Sequence, residues 1–259
     1  MKKSLLLLTA LAVAGMSSTS AQAATHYVSG FGGVSWMQNM DASDTYISDP
    51  GSGDHTANYD LGTGFTVTGA IGCDYGSYRL EAEVGYQTND FKSAIDYTDG
   101  VADNYPSDAI GTLSASYPMR GDVSALTLMG NGYYDVDLGS KVELYVTAGV
   151  GVAQVSFHDV NDTGSWTAGS GELSGTYIFG ANNDPGFNAH ETTLAWQVGA
   201  GIAAPIADNV KLDLRYRYFA TTDFTVADMG EEMPSPNNTI SRNTNLSSHS
   251  VLLGLRVDF

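Results

Sequence analysis

The last nine residues, Val251-Leu252-Leu253-Gly254-Leu255-Arg256-Val257-Asp258-Phe259, constrain this chain more than any other stretch. Val251, Leu253, Leu255, Val257 and Phe259 are apolar at every second position. Ser250, Gly254, Arg256 and Asp258 occupy the other parity, with Leu252 the one apolar exception. Successive side chains of a strand point to opposite faces, so a period of two describes a β-strand with one apolar and one polar face. The sequence ends on its apolar face, where a soluble domain ordinarily carries a polar, frayed tail. That fits the closing strand of a membrane barrel. The alternative is an edge strand of an exported β-sandwich.

The first residues bear on export. Lys2 and Lys3 precede the apolar run Leu5 to Ala14, and Ala21-Gln22-Ala23 follows small polar residues, the pattern of a secretory signal peptide spanning 1–23 and removed after Ala23. No later segment reaches the roughly 18 continuous apolar residues of a spanning helix, so any membrane span has to be made of strands. Cys73 is the only cysteine, which leaves no intrachain disulfide to staple the fold. The chain has 29 acidic residues against 11 basic ones, and loss of Lys2 and Lys3 moves the net charge from −18 to about −20. Phosphate binding needs the opposite sign, so nucleic acid is excluded as a partner.

Eight stretches alternate over the roughly 9–11 residues that a tilted membrane strand requires. They start near His26, Gly64, Tyr78, Val123, Lys141, His190, Val210 and Val251. The third is the clearest: Tyr78, Leu80, Ala82, Val84 and Tyr86 alternate with Arg79, Glu81, Glu83, Gly85 and Gln87. Pro205 is expected to end the sixth, because it cannot donate to a ladder. The connections alternate too. Roughly 25 to 35 residues join strands one to two, three to four, five to six and seven to eight, and about four to seven join the others. Short turns at one end and long loops at the other are the habit of outer-membrane barrels.

Taken together, Arg79 to Tyr86, Leu128 to Asp135, Tyr145 to Gly151, Trp196 to Gly201 and Arg215 to Phe219 resemble the opacity-protein and OmpA-like family of eight-stranded outer-membrane barrels. The apolar alternation ending in Phe259 is similar to the assembly signal at the end of such proteins. The resemblance covers the strands and none of the long loops. It implies an all-β, eight-stranded antiparallel up-and-down transmembrane β-barrel over 24–259, with four long extracellular loops and three short periplasmic turns. It implies a surface antigen or adhesin in the bacterial outer membrane, without a periplasmic domain. The partners it implies are membrane lipid and lipopolysaccharide, the insertion machinery acting on the last strand, and a host or cell-surface ligand held by the loops. A small or gated solute channel is the competing reading.

The polar parity gathers Arg79, Glu81, Glu83, Lys141, Glu143, Lys211, Asp213, Arg215, Arg217, Arg256 and Asp258, nearly balanced in sign. An eight-stranded barrel is only wide enough for its own side chains, and buried charges have to be paired. A lumen plugged by ion pairs is therefore expected. Tyr27, Trp36, Tyr78, Tyr86, Tyr134, Trp196, Tyr216, Tyr218 and Phe259 are expected at the membrane interfaces. The loops, about 38–63, 88–122, 158–189 and 220–246, hold about twenty acidic residues against Lys92, Arg120 and Arg242.

Asp159, Asn161 and Asp162, or Asn182, Asn183 and Asp184, offer oxygen ligands to Ca²⁺ but lack a full calcium-loop spacing and read as solvated turns. No cofactor or metal is called for. For an enzyme, His249-Ser250 has the residue types of a lipid A deacylase, but adjacent strand residues face opposite ways. His158 with Asp159, or His190 with Glu191, lacks the third group an omptin-like protease needs. The expected protein is not an enzyme.

Overall fold

Alternation of apolar and polar side chains builds strands that must hide one face, and the computed structural model shows how this chain does it. The structure describes residues 24–48, 51–99, 113–136, 141–162, 165–168, 175–178, 187–227 and 241–259. The signal peptide, the turn Asp137-Leu138-Gly139-Ser140 and the loop residues Asn182, Asn183 and Asp184 lie outside the described residues.

Eight staves run β1 (Thr25–Met37), β3 (Gly51–Asp74), β4 (Tyr78–Asp99), β5 (Leu113–Val136), β6 (Glu143–Asp162), β9 (Phe187–Ala207), β10 (Val210–Thr221) and β13 (Ser247–Asp258). Each pairs antiparallel with its sequence neighbour, and β1 pairs with β13 from Tyr27↔Asp258 to Met37↔Ser248, which closes the cylinder. Closure leaves no exposed edge in the membrane, where an unpaired backbone group is costly. The barrel expected from the alternation is the fold of this chain.

Its outer surface is an apolar band. Val34, Phe65, Ile71, Leu80, Val84, Leu126, Val146, Val150, Leu194, Ile202, Leu214 and Leu253 all point outward and are exposed. Leu252, the exception in the last strand, is fully buried inside. The closing seam needs a close approach. A Cβ on Gly33 would lie 2.0 Å from the carbonyl oxygen of Val251, inside the β1–β13 ladder. Gly33→Val is therefore expected to prevent closure, seen as loss of the heat-modifiable folded band on a gel. An unchanged band would contradict the seam.

The staves do not stop where the alternation stops. Residues expected as loops continue as wall: β3 and β4 stay paired up to Asp54↔Asp99, and β4 and β5 up to Thr98↔Leu113. Short strands β2 (Met40–Ser48), β7 (Ser165–Ala168), β8 (Gly175–Ile178), β11 (Phe224–Ala227) and β12 (Ser241–Thr244) prolong the others. The loops at 38–63, 88–122, 158–189 and 220–246 are thus largely β-structure among the described residues.

What interrupts the pattern is a belt of register shifts just beyond the apolar band. They fall at Asp60–Gly64 in β3, Asp90–Ser93 in β4, Arg120–Asp122 in β5 and Phe157–Val160 in β6. Gly121 there adopts φ +107°, a conformation that suits glycine. Breaks at 38–39, 222–223 and 245–246 separate β1 from β2, β10 from β11 and β12 from β13. A bulge inserts one extra residue and so exchanges the two faces of a strand. In β3, Thr66 and Thr68 face the lumen below the shift, and Tyr59 and Leu61 face it above. In β10, Asp213 to Phe219 point inward at odd positions, whereas Phe224 and Val226 of β11 do so at even ones.

One further expectation is corrected. Pro205 does not end its strand: β9 continues to Ala207, past the last β6 partner at Ala203, with a register shift against β10 at Val210/Lys211.

Candidate functional site: the filled lumen

The inward parity of the eight staves carries the chemistry, so the site is described from the short-turn end upward. At that mouth Glu143 on β6 accepts hydrogen bonds from Lys211 Nζ and Arg256 Nη2. Asp258 Oδ2 lies 3.6 Å from Lys211 Nζ, and its Oδ1 3.7 Å from Arg256 Nε. Beside them Arg79 makes a two-pronged contact with Asp135, Nε to Oδ2 at 2.8 Å and Nη2 to Oδ1 at 2.7 Å. Its guanidinium is 4.4 Å from the ring centroid of Tyr133 and 4.8 Å from that of Tyr145, a cation–π arrangement that suits a desolvated arginine.

In the next layer the carboxylates are held by phenols. Glu81 accepts from Tyr133 OH at 2.6 Å, Tyr27 OH at 3.2 Å, Ser29 Oγ at 3.3 Å and Asn131 Nδ2 at 3.4 Å. Asp213 accepts from Tyr145 OH at 2.6 Å, and the same phenol oxygen accepts from Arg215 Nε at 3.1 Å. Glu83 is fully buried. Arg215 Nη1 donates to its Oε2 at 3.3 Å, Arg217 Nη1 lies 3.8 Å from its Oε1, and Gln197 Nε2 donates to that oxygen at 3.2 Å. Arg217 Nη2 continues upward to Thr66 Oγ1 at 3.0 Å and Gln87 Oε1 at 3.2 Å.

Ten of the eleven charged residues assigned inward from the sequence meet in this column. Lys141 does not: it is exposed and precedes β6, because the β6–β9 ladder begins only at Glu143. Asp135 takes part instead. It is one step further along the parity of Asn131 and Tyr133, and following that parity past Tyr134 finds it. The inward set among the described residues is then Arg79, Lys211, Arg215, Arg217 and Arg256 against Glu81, Glu83, Asp135, Glu143, Asp213 and Asp258. Tyr27, expected at an interface, also points into the lumen and is 1 % exposed. It lies on the parity of Ser29 and Phe31, and the glycines of β1 hide that parity in the sequence.

Above the ion pairs the lumen changes character. Phe91, Met129, Val155, Phe157, Phe219 and Leu246 belong to one buried apolar cluster at the long-loop end, where Phe91 and Phe157 lie 6.3 Å apart. The expectation for the lumen was a plug of ion pairs, and this apolar half above them is an addition to it. Phe91, Met129, Val155, Phe157 and Phe219 keep the inward parity of the ion-pair residues below them, whereas Ala94, Val160, Phe224 and Val226 lie past the shifts or breaks, where alternation assigns the wrong face.

The outward candidates are spread over the wall. His249 faces lipid, stacked on Trp36 with ring centroids 6.0 Å apart and 2.6 Å from Tyr216 OH, whereas Ser250 is fully buried on the other face. His158 Nδ1 lies 3.2 Å from Asp122 Oδ2 rather than against Asp159. Asp159 exchanges hydrogen bonds with Asn188, at 3.1 and 3.2 Å. His190 is exposed and Glu191 half-buried, as neighbours on opposite faces must be. Phe259 N–H donates to His26 O at 2.8 Å, and its ring is exposed.

The family model for an outer membrane protein β-barrel domain matches residues 6–259. The chain belongs to the outer-membrane protein β-barrel family. A barrel of this family spans the bacterial outer membrane, in contact with its lipid and lipopolysaccharide, and the apolar band described above is the surface that meets them. Among its relatives, the chain is 24% identical to the outer membrane protein PagN of Salmonella typhimurium over 258 residues, covering 95% of each chain. It is 25% identical over 229 residues to an uncharacterised protein of Brucella abortus, covering 83% of this chain and 73% of that one. Among solved structures it resembles Neisserial surface protein A at 17% identity, with a TM-score of 0.44, covering 90% of this chain and 97% of the other.

Proposed function

We propose that this outer-membrane barrel is a non-enzymatic surface interaction protein, an adhesin or antigen, that carries an acidic wall above the membrane and passes no solute. The observation that carries this reading is the height of the wall. Staves β3, β4 and β5 run 24, 22 and 24 residues, about twice what a tilted membrane strand needs. Structure raised so far past the lipid is surface for contact, and binding residues concentrate on such projecting segments. The charge favours a cationic or neutral partner over a polyanion, because the segments 38–63, 88–122, 158–189 and 220–246 carry only Lys92, Arg120 and Arg242 against their many carboxylates. The filled lumen, ion-paired below and apolar above, supports the absence of a pore, and the separated faces of His249 and Ser250 support the absence of hydrolytic chemistry. In the same reading residues 1–23 are the cleaved export signal, and the strand ending in Phe259 is what the insertion machinery engages.

The test is a pair of measurements on one variant lacking 101–110 and 230–238. Bacteria displaying it are expected to lose roughly tenfold or more of their binding to host cells or matrix relative to wild type, while vesicle permeability to small sugars stays at the lipid baseline. Undiminished binding sinks the surface reading. A wild-type protein that swells sugar-loaded vesicles replaces it with the channel reading.

A further inference from the structure

The buried polar atoms that no protein group satisfies are unevenly placed. Of the eleven such side-chain atoms among the described residues, ten belong to the lower, membrane-spanning parts of the staves, and Asn161 Oδ1 is the exception. They include donors, Arg79 Nη1, Arg217 Nε and Arg256 Nη1, together with an acceptor, Asp213 Oδ2, while Arg256 Nε and Asp258 Oδ1 face each other at 3.7 Å, too far for a hydrogen bond. A buried polar group left alone is destabilising, and water is the one small partner that serves donors and acceptors in the same space. The near-cancelling charges of the column argue against an ion in that role. Water has an entrance at the short-turn end, where the side chains of Glu143, Lys211 and Asp258 keep 31%, 18% and 21% of their exposure.

At the other end the surroundings are of the opposite kind. Phe91, Phe157 and Phe219, with Met129, Val155 and Leu246, close the lumen with side chains that offer water nothing to bond to, and the buried polar side chains at that level are already bonded, Asn89 to Ser35 and to the carbonyl of Gly62, and Ser248 to Gln87. Apolar enclosures of this sort stay dry. The junction is narrow: the Arg217 guanidinium, held by Thr66 and Gln87, lies 5.9 Å from the ring centroid of Phe219.

We propose that the lumen is a blind vestibule, hydrated from the periplasm through its polar half and sealed against the outside by the apolar layer around Phe91, Phe157 and Phe219. The ion pairs then hold the staves together and bind water, and the greasy layer stops permeation. Charged side chains alone make a poor seal, because water and ions exchange with them, whereas a dewetted apolar constriction is a barrier to every hydrophilic solute.

Thiol accessibility tests this on the folded barrel in lipid nanodiscs, where both faces meet solvent. In a Cys73→Ser background, Thr147→Cys in the polar half is expected to react with a small cationic methanethiosulfonate about tenfold or more faster than Val155→Cys in the apolar layer. Equal rates, or the reverse order, overturn the proposal. Planar-bilayer conductance gives a second reading. The double variant Phe157→Ser/Phe219→Ser is expected to conduct about tenfold more than Glu83→Gln/Arg217→Gln, since only the first wets the constriction. Higher conductance through the charge variant overturns the assignment of the seal. If the aromatic variant lacks the heat-modifiable folded band, the labelling pair decides.

Discussion

Replacing Glu83 by Ala is expected to lower the unfolding free energy of the barrel by about 3–5 kcal/mol, read as a fall in the urea midpoint in lipid vesicles. Glu83 is fully buried and is the shared counter-ion of Arg215 and Arg217. Without it Arg217 keeps only neutral partners, Thr66 and Gln87, and Arg215 retains Glu81 at 4.0 Å. The size of the effect is the penalty for uncompensated buried charge, which exceeds what the pair gains by forming. Glu143→Ala makes the control. Its carboxylate also meets two cations, but its side chain stays 31% exposed, so water compensates and about 1 kcal/mol or less is expected. Equal losses from the two variants would mean that depth of burial does not set the energetics of the column.

The second large effect is on the outside. Val150→Arg is expected to cost about 2–4 kcal/mol, because an arginine at the middle of the lipid face has to be desolvated or drag water into the bilayer. Val150 is 71% exposed and midway along the part of β6 that faces lipid. Val150→Leu, which keeps the face apolar, is expected to change the midpoint little. A tolerated arginine would place Val150 outside the hydrocarbon, and with it the proposed height of the membrane.

Most of the membrane-spanning half was legible in the sequence, and the reason is geometric. Between Tyr78 and Gln87, or Leu126 and Tyr134, nothing disturbs the two-residue period, so each side chain's face follows from its parity. Legibility ended where the wall acquires extra residues. Past Phe91, Val123 and Phe157 the faces exchange, and an unbroken strand then reads as an aperiodic loop. The same change of parity hid part of the apolar cluster, since Phe224 and Val226 point inward from positions that the parity of β10 assigns to lipid. Tyr27 was misplaced for a different reason. Aromatic residues near strand ends serve either the interface or the lumen, and only the carboxylate of Glu81 facing it decides between them. Asp135 was lost at a turn, where the pattern has too few residues to vote.

The belt of shifts has one more consequence, for how such a chain tolerates change over generations. A single inserted or deleted residue in an ordinary stave would turn everything beyond it inside out, sending charges into oil. Here the wall already crosses a phase boundary just outside the bilayer, so length changes beyond that line leave the lipid-facing half in register. The protein has, in effect, an expansion joint: its outer storey is free to be rebuilt while the foundations keep their alignment.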